Sequence, residues 1–142
     1  MKTLNLTQHP ASKEQVEAGV IDLLDKDEVS RLLTFDSIPD KKEIEKRVTE
    51  LSTLIYEAVS GQKGVYEELT DDEMSELLKE KGIGQVMIGG ALWLMKPLIE
   101  ELTYYIKPVF AFSKRETIEK LGEDGEVVKT SVFKHIGFVE AI

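Results

Sequence analysis

No cysteine occurs anywhere in the chain, which excludes a disulfide frame, a thiolate zinc site and a cysteine nucleophile. Histidine is nearly missing too. With only His9 and His135 present, the composition argues against a histidine-rich metal centre, and no metal site is expected. No stretch approaches the roughly 18 apolar residues of a membrane span, and the opening MKTLNLTQHP has no apolar run of signal-peptide length. A cytoplasmic protein with no membrane partner is expected, a setting in which the sequon Asn5-Leu6-Thr7 carries no meaning.

Positive charge is short as well: 18 basic against 27 acidic residues give a formal net charge of −9. That opposes the non-specific attraction on which binding to long DNA or RNA mostly rests, so no long nucleic acid partner is expected. A small anionic ligand stays compatible, because local cations and backbone N–H groups outweigh distant charge screened by salt. Glycine and proline number only 10 and 4, beside 42% hydrophobic residues, which is the balance of a folded chain rather than a disordered one. At 142 residues it fits one domain. Nothing in it calls for a cofactor.

What is present alternates between strand-like and helix-like stretches. Residues 2–7 read as a first strand, stopped by Gln8-His9-Pro10. Ser12-Lys13-Glu14-Gln15 has the pattern of a capping box and opens a short helix that Gly19 ends. Val20 to Leu24 reads as a short strand or an apolar bridge, with the strand preferred. Val29, Leu32 and Leu33 mark a short helix within 25–35. A longer helix opens around Ser37-Ile38-Pro39-Asp40, carries the stripe Ile44, Val48, Leu51, Ile55 and Val59, and ends at Gly61 and Gly64. Its charged residues, Arg47 among them, are expected on a solvated face. Residues 65–69 are ambiguous. Thr70-Asp71-Asp72-Glu73 is a second capping box, and the carboxylates around it are helix N-terminal charge rather than a calcium loop.

Gln85 to Ile88 then reads as a buried strand, Gly89-Gly90 as a turn, and Ala91 to about Tyr105 as a helix with Trp93, Leu94, Pro97 and Leu98 on its core face, a reading preferred to Trp93 as a base-stacking platform. A strand resumes at Val109–Phe112 and is expected to end in Ser113-Lys114-Arg115-Glu116. Residues 117–121 and 126–133 flank an Asp124-Gly125 turn and form a hairpin, and the tail 136–139 completes the sheet. The order predicts an α/β, Rossmann-like domain: a mostly parallel sheet, flanking helices and a C-terminal antiparallel β-hairpin.

In such sheets ligands bind beyond the carboxyl ends of the strands. Three stretches are expected on that edge: Thr7-Gln8-His9, Gly89-Gly90 and Ser113-Lys114-Arg115-Glu116, with Lys134 and His135 near the end of the hairpin adding to them. The glycines before a helix offer backbone N–H groups to an anion. Arg115 and Lys114 offer cations, and His9 a group that donates or accepts a proton. Each also has a plainer reading: His9 as a strand-end residue bonded to backbone, Gly89-Gly90 as a packing turn, Lys114 and Arg115 as surface charges paired with Glu116 and Glu119.

The segments LTQHPA and VMIGGALWLMKPLIEEL, followed by the hairpin, resemble small CRISPR-associated Rossmann-fold (CARF-like) proteins, in particular stand-alone ring nucleases. The residues that carry the resemblance are Thr7, His9, Pro10, Ile88 and Gly89. The chain is also similar to small uncharacterised proteins of bacteria and their mobile elements. The first resemblance implies a homodimer that binds a cyclic oligonucleotide messenger across a two-fold axis. It also implies metal-independent cleavage, in which a ribose 2′-hydroxyl attacks its own phosphodiester with His9 as acid or base and Lys114 and Arg115 as the phosphate clamp. Two other readings stay open: a non-catalytic protein that sequesters such a nucleotide, and an interaction module whose acidic surface docks a basic protein.

Overall fold

The structure, a computed structural model, describes residues 1–142. Its elements are β1 (Lys2–Leu6), α1 (Lys13–Glu17), β2 (Val20–Asp22), α2 (Lys26–Leu33), α3 (Lys41–Ser60), a 3-10 turn (Val65–Glu67), α4 (Asp71–Glu80), β3 (Ile83–Ile88), α5 (Leu92–Thr103), β4 (Lys107–Leu121) and β5 (Val127–Glu140). They form one five-stranded sheet in the order β2-β1-β3-β4-β5. The first four strands are parallel to their neighbours and β5 is antiparallel to β4. This is the predicted α/β architecture, and Val20–Asp22 is a strand.

Period-two alternation sends Leu4, Leu6, Val86 and Ile88 to one face of the sheet, where they join the main core with the buried sides of α2 to α5. The stripe predicted for α3 is buried there, with Leu51 and Ile55 fully covered. On the opposite face Val20, Met87 and Val109 form a small cluster covered by Ala11 and Phe138. Both capping boxes are made: Ser12 Oγ accepts from Gln15 N while Gln15 Oε1 accepts from Ser12 N, and Thr70 and Glu73 repeat the pattern. Asp40 rather than the residues before it caps α3, accepting from Glu43 N at 2.8 Å.

Three sequence expectations need correction. The strand begun at Val109–Phe112 does not end at Ser113–Glu116, because β4 runs unbroken to Leu121 and pairs with β5 along its whole length. Polar residues there mark a two-stranded ribbon with solvent on both sides, not a strand terminus. Trp93 does not belong to the core face of α5: Leu94 and Leu98 are fully buried, but Trp93 is 52% exposed. Arg47 is not solvated either. Its guanidinium donates to the carbonyls of Arg31, Leu32 and Thr34 at 3.1, 2.9 and 2.7 Å and lies 4.5 Å from the Phe35 ring centroid, so it satisfies the C-terminal carbonyls of α2.

The ribbon begins where β3 stops. Phe110 is level with Ile88, the last residue of β3, and beyond it β4 has only β5 as partner. A register shift at Phe112/Ser113 marks a bulge, which bends and twists a strand. The tip closes with Gly125 N donating to Gly122 O at 3.1 Å and Gly125 at φ 78°. The loop therefore spans Gly122 to Glu126 with its glycine in the left-handed position, not a two-residue Asp-Gly turn. From Lys114 to Lys134 no residue is buried.

Three tyrosines join α3 to the elements around it. Tyr56 meets Tyr66 and Tyr105 edge-on, with ring centroids 4.9 Å apart in both pairs. Their hydroxyls bond Asp71 Oδ1, Glu101 Oε1 and Ser52 Oγ, respectively. Burial, more than the nearby carboxylates, pushes the Tyr66 hydroxyl up from 10.0 to about 12. Burial raises Tyr56 and Tyr105 further still. A raised value means that the folded form keeps protons the unfolded chain releases, so the stability these groups contribute is present below pH 10 and lost as pH climbs through about 12. Phenolate absorbance and loss of helical circular dichroism should therefore rise together in an alkaline titration; ionisation of these tyrosines in a still-folded protein would contradict it.

Because the outer ribbon packs on nothing else, joining Ser113 to His135 by Asn-Gly in place of 114–134 should change stability by less than about 1 kcal/mol, roughly 4 °C in thermal midpoint. A much larger drop, read by calorimetry, would show that the ribbon supports the domain.

Candidate functional site

The order β2-β1-β3 places a topological switch point between β1 and β3: the chain leaves β1 for β2 on one side and later enters β3 on the other. Two of the predicted stretches flank it. The residues after β1 fold into a turn held from beneath by Asn5, which is fully buried. Its Nδ2 donates to His9 O at 2.9 Å and to Asp22 Oδ1 at 2.7 Å, and its Oδ1 accepts from Thr7 N at 3.0 Å and Thr7 Oγ1 at 2.6 Å. Asp22 Oδ1 also accepts from Ala11 N. The turn is thus fixed through its backbone and Thr7, while the His9 side chain is exposed with no hydrogen-bond partner. Burial of Asn5 also withdraws the sequon from solvent.

Gly89 and Gly90 lie beside this turn. A Cβ on Gly89 would come within 3.7 Å of Thr7 Cγ2, an ordinary contact, so space does not demand glycine there. Gly90 is different: its φ of 146° is one that side chains rarely adopt. The chain then enters α5 with Ala91 as N-cap and no side-chain cap hydrogen bond, leaving the first N–H groups of the helix without a side-chain acceptor.

A cation that sequence reasoning missed completes this edge. Lys26, the first residue of α2, donates from Nζ to Thr7 O. An ammonium has three donors, and this is the one hydrogen bond it makes. Burial holds its pKa below the ordinary lysine value, opposed by the Asp22 carboxylate. Its position gave no distinguishing signal: a lysine in the first turn of a helix opposes the helix dipole, but Lys13 and Lys41 hold the same place in α1 and α3. Gln8 points elsewhere, its Nε2 donating to Thr34 Oγ1 at 2.8 Å, which ties the turn to the end of α2.

The remaining predicted residues sit apart from Thr7, Gly89 and Gly90. Ser113, Lys114, Arg115 and Glu116 stand on the ribbon, where Lys134 and His135 join them: Lys114 is directly opposite Lys134, Ser113 opposite His135 and Arg115 opposite Phe133. Arg115 lies five residues past Phe110, about 16 Å along the strand. Within one chain the ribbon cations therefore do not converge with the switch point at bonding distance. None of Lys114, Arg115 and Lys134 is in an ion pair, so pairing with Glu116 or Glu119 is not what holds them. Two lysines directly opposite one another repel. His135 lies at the ribbon's base, its N–H donating to Glu14 Oε2 at 3.1 Å and its ring 4.9 Å from that of Phe138; both ring nitrogens are covered and unpaired. No group of three His, Asp or Glu side chains is placed to hold a metal ion.

Asn5→Ala should leave the N–H of Thr7 without a partner and the carbonyl of His9 with only Thr7 Oγ1 at 3.2 Å, at a cost of about 2 kcal/mol. Amide exchange at residues 7–9 should accelerate by more than the global loss of stability accounts for; unchanged exchange there would mean that Asn5 does not hold the turn.

The chain matches, over residues 1–139, the family described as "Uncharacterized protein MJ1673 family", and it belongs to that family. No curated protein and no solved structure matches it.

Proposed function

We propose that the protein binds a cyclic oligonucleotide second messenger at the carboxyl edge of its sheet, as a homodimer in the cytoplasm. The observation that carries this reading is the switch point itself. There a rigid Thr7–His9 turn, the Gly89-Gly90 entry into α5 and the Lys26 ammonium, with donors to spare, share one edge. Backbone N–H groups and one cation suit a phosphodiester, and they do so locally in spite of the net charge of −9.

A ligand of several nucleotides, rather than one phosphate, is favoured by the ribbon. Lys114, Arg115 and Lys134 carry unpaired positive charge some way from the edge, and the Lys114/Lys134 repulsion is relieved by an anion between or above them. Phe133 and Leu121, 75% and 80% exposed, give the ribbon apolar surface for a second copy, which would bring these cations toward the partner's switch point. In this reading Ser113 and Glu116 line the ribbon side of the ligand and Thr7, Gly89 and Gly90 the sheet side, while Gln8 braces the turn from Thr34.

His9 is exposed on a fixed turn and takes the proton of a ribose 2′-hydroxyl as that oxygen bonds the adjacent phosphorus, or protonates the 5′-oxygen whose bond to phosphorus breaks. This leaves a 2′,3′-cyclic phosphate and a 5′-hydroxyl, with Arg115 of the second copy stabilising the charge that develops. No metal is required for that step. If His9 instead only contacts the ligand, the protein is a sequestering one.

Calorimetry against cyclic di-, tri-, tetra- and hexanucleotides should find one that binds, and Lys26→Met should weaken it on the order of ten-fold, the scale of one charge-assisted hydrogen bond. Turnover that vanishes in His9→Ala with binding retained identifies the enzyme, whereas binding without turnover in the wild type identifies the sequestering protein. Absence of binding to every member of the panel ends the proposal.

A further inference from the structure

The one tryptophan of the chain stands at an unexpected place. Trp93 is the second residue of α5, three positions after Gly90, and half of it faces solvent. It forms one wall of a groove of about 560 Å³ whose other walls are Phe35, Ile38, Pro39 and Ile44. Ile38 is 98% exposed, so its side chain stands out as a rim and does not serve the core. Phe35 and Trp93 meet edge-to-face, with centroids 5.6 Å apart and planes at 71°. Phe35 is held in turn by Arg47, which lies over its ring and ties the end of α2 by three backbone hydrogen bonds. The aromatic walls are therefore preformed.

The segment that walls this groove also borders the switch point. Leu33, two residues before Phe35, approaches the position of a Cβ on Gly90 within 3.8 Å, Thr34 beside it accepts from Gln8 of the turn after β1, and Trp93 follows Gly90 by three residues. We propose that the groove is a subsite for the heteroaromatic base of the ligand, stacked on Trp93, with the Asp36 carboxylate and Ser37 hydroxyl at its polar end. This rests on the reading of the switch point as a phosphate site: phosphate at Gly89-Gly90 and Lys26 leaves a base attached to it within reach of the first turn of α5.

Size decides the occupant. Seven residues line the groove, against roughly 20–30 on each side of a stable protein interface, whereas a few hundred Å³ is the scale of small-ligand sites. Chemistry agrees with size: apolar walls with a few polar groups at one end suit a flat ring bearing hydrogen-bonding substituents. Asp36 is an acceptor and so selects bases that present an amino group or ring N–H at that end. Stacking on an aromatic side chain is tolerant of base identity, and the discrimination comes from the Asp36 side.

Because Trp93 is the sole tryptophan, its fluorescence reports on the groove directly. AMP and GMP should change it saturably while ribose 5-phosphate, which lacks a base, should not. By calorimetry Trp93→Ala and Ile38→Asp, both at exposed positions, should weaken binding of AMP, and of any cyclic oligonucleotide the protein binds, on the order of ten-fold. Trp93→Phe should restore most of it, and ribose 5-phosphate should bind all variants alike. Nucleotides that bind without altering the fluorescence and are indifferent to both substitutions overturn the base subsite and leave the phosphate site standing. If neither AMP, GMP and ribose 5-phosphate nor any cyclic oligonucleotide binds the wild type, the switch-point reading fails, and the subsite with it.

Discussion

The side chain of Asn5 is the interaction on which the carboxyl edge of the sheet at the switch point depends. It sits on a central strand, without solvent contact, and a buried amide that lacked partners would be costly. Here both halves of the amide are used, the oxygen by Thr7 and the nitrogen by Asp22 and the His9 carbonyl. One residue thereby couples the end of β1, the end of β2 and the turn that follows β1. Because Asp22 also receives Ala11 N, the chain is held on its way into α1, and Lys26 donating to Thr7 O adds α2. The exposed His9 side chain inherits its position from this buried network.

A second consequence of the strand order is division of labour across the sheet. The face covered by α2 to α5 holds nearly all the buried apolar side chains, while the other face is covered lightly by residues around α1 and by Phe138. Stability is concentrated on one side, and the carboxyl edge is free for turns chosen for their polar groups. The ribbon extends this asymmetry. It adds surface and charge but no core.

Much of the fold was legible because it rests on local rules. The apolar stripe of α3, the two capping boxes and the strand that ends at Gly89 follow from periodicity and from orphan N–H groups needing acceptors. The ends of β4 were not legible, since Ser113-Lys114-Arg115-Glu116 looks the same in a loop as in a strand exposed on both faces. Trp93 was misread because stripes on a helix assign a face by spacing alone. Whether a neighbour covers that face depends on the loop between α2 and α3, which bends to present Ile38 and Phe35. Arg47 was misread for the converse reason: its partners are backbone carbonyls of another helix, and no side-chain pattern announces those.

Composition and pattern by themselves determined an α/β chain whose strands β1 and β3 run into polar and glycine-rich turns, with no thiol chemistry and no helix fit to cross a membrane. These properties depend on residue type and on spacing along the chain. Only the tertiary structure decided which polar groups share an edge. It joined Lys26 to Thr7 and Gln8 to Thr34, opened a groove at Trp93, and carried Lys114 and Arg115 away on a ribbon. The physical reason is strand pairing. Register and order bring together residues from distant parts of the sequence, and no local propensity encodes how far a paired strand continues once its neighbour has stopped.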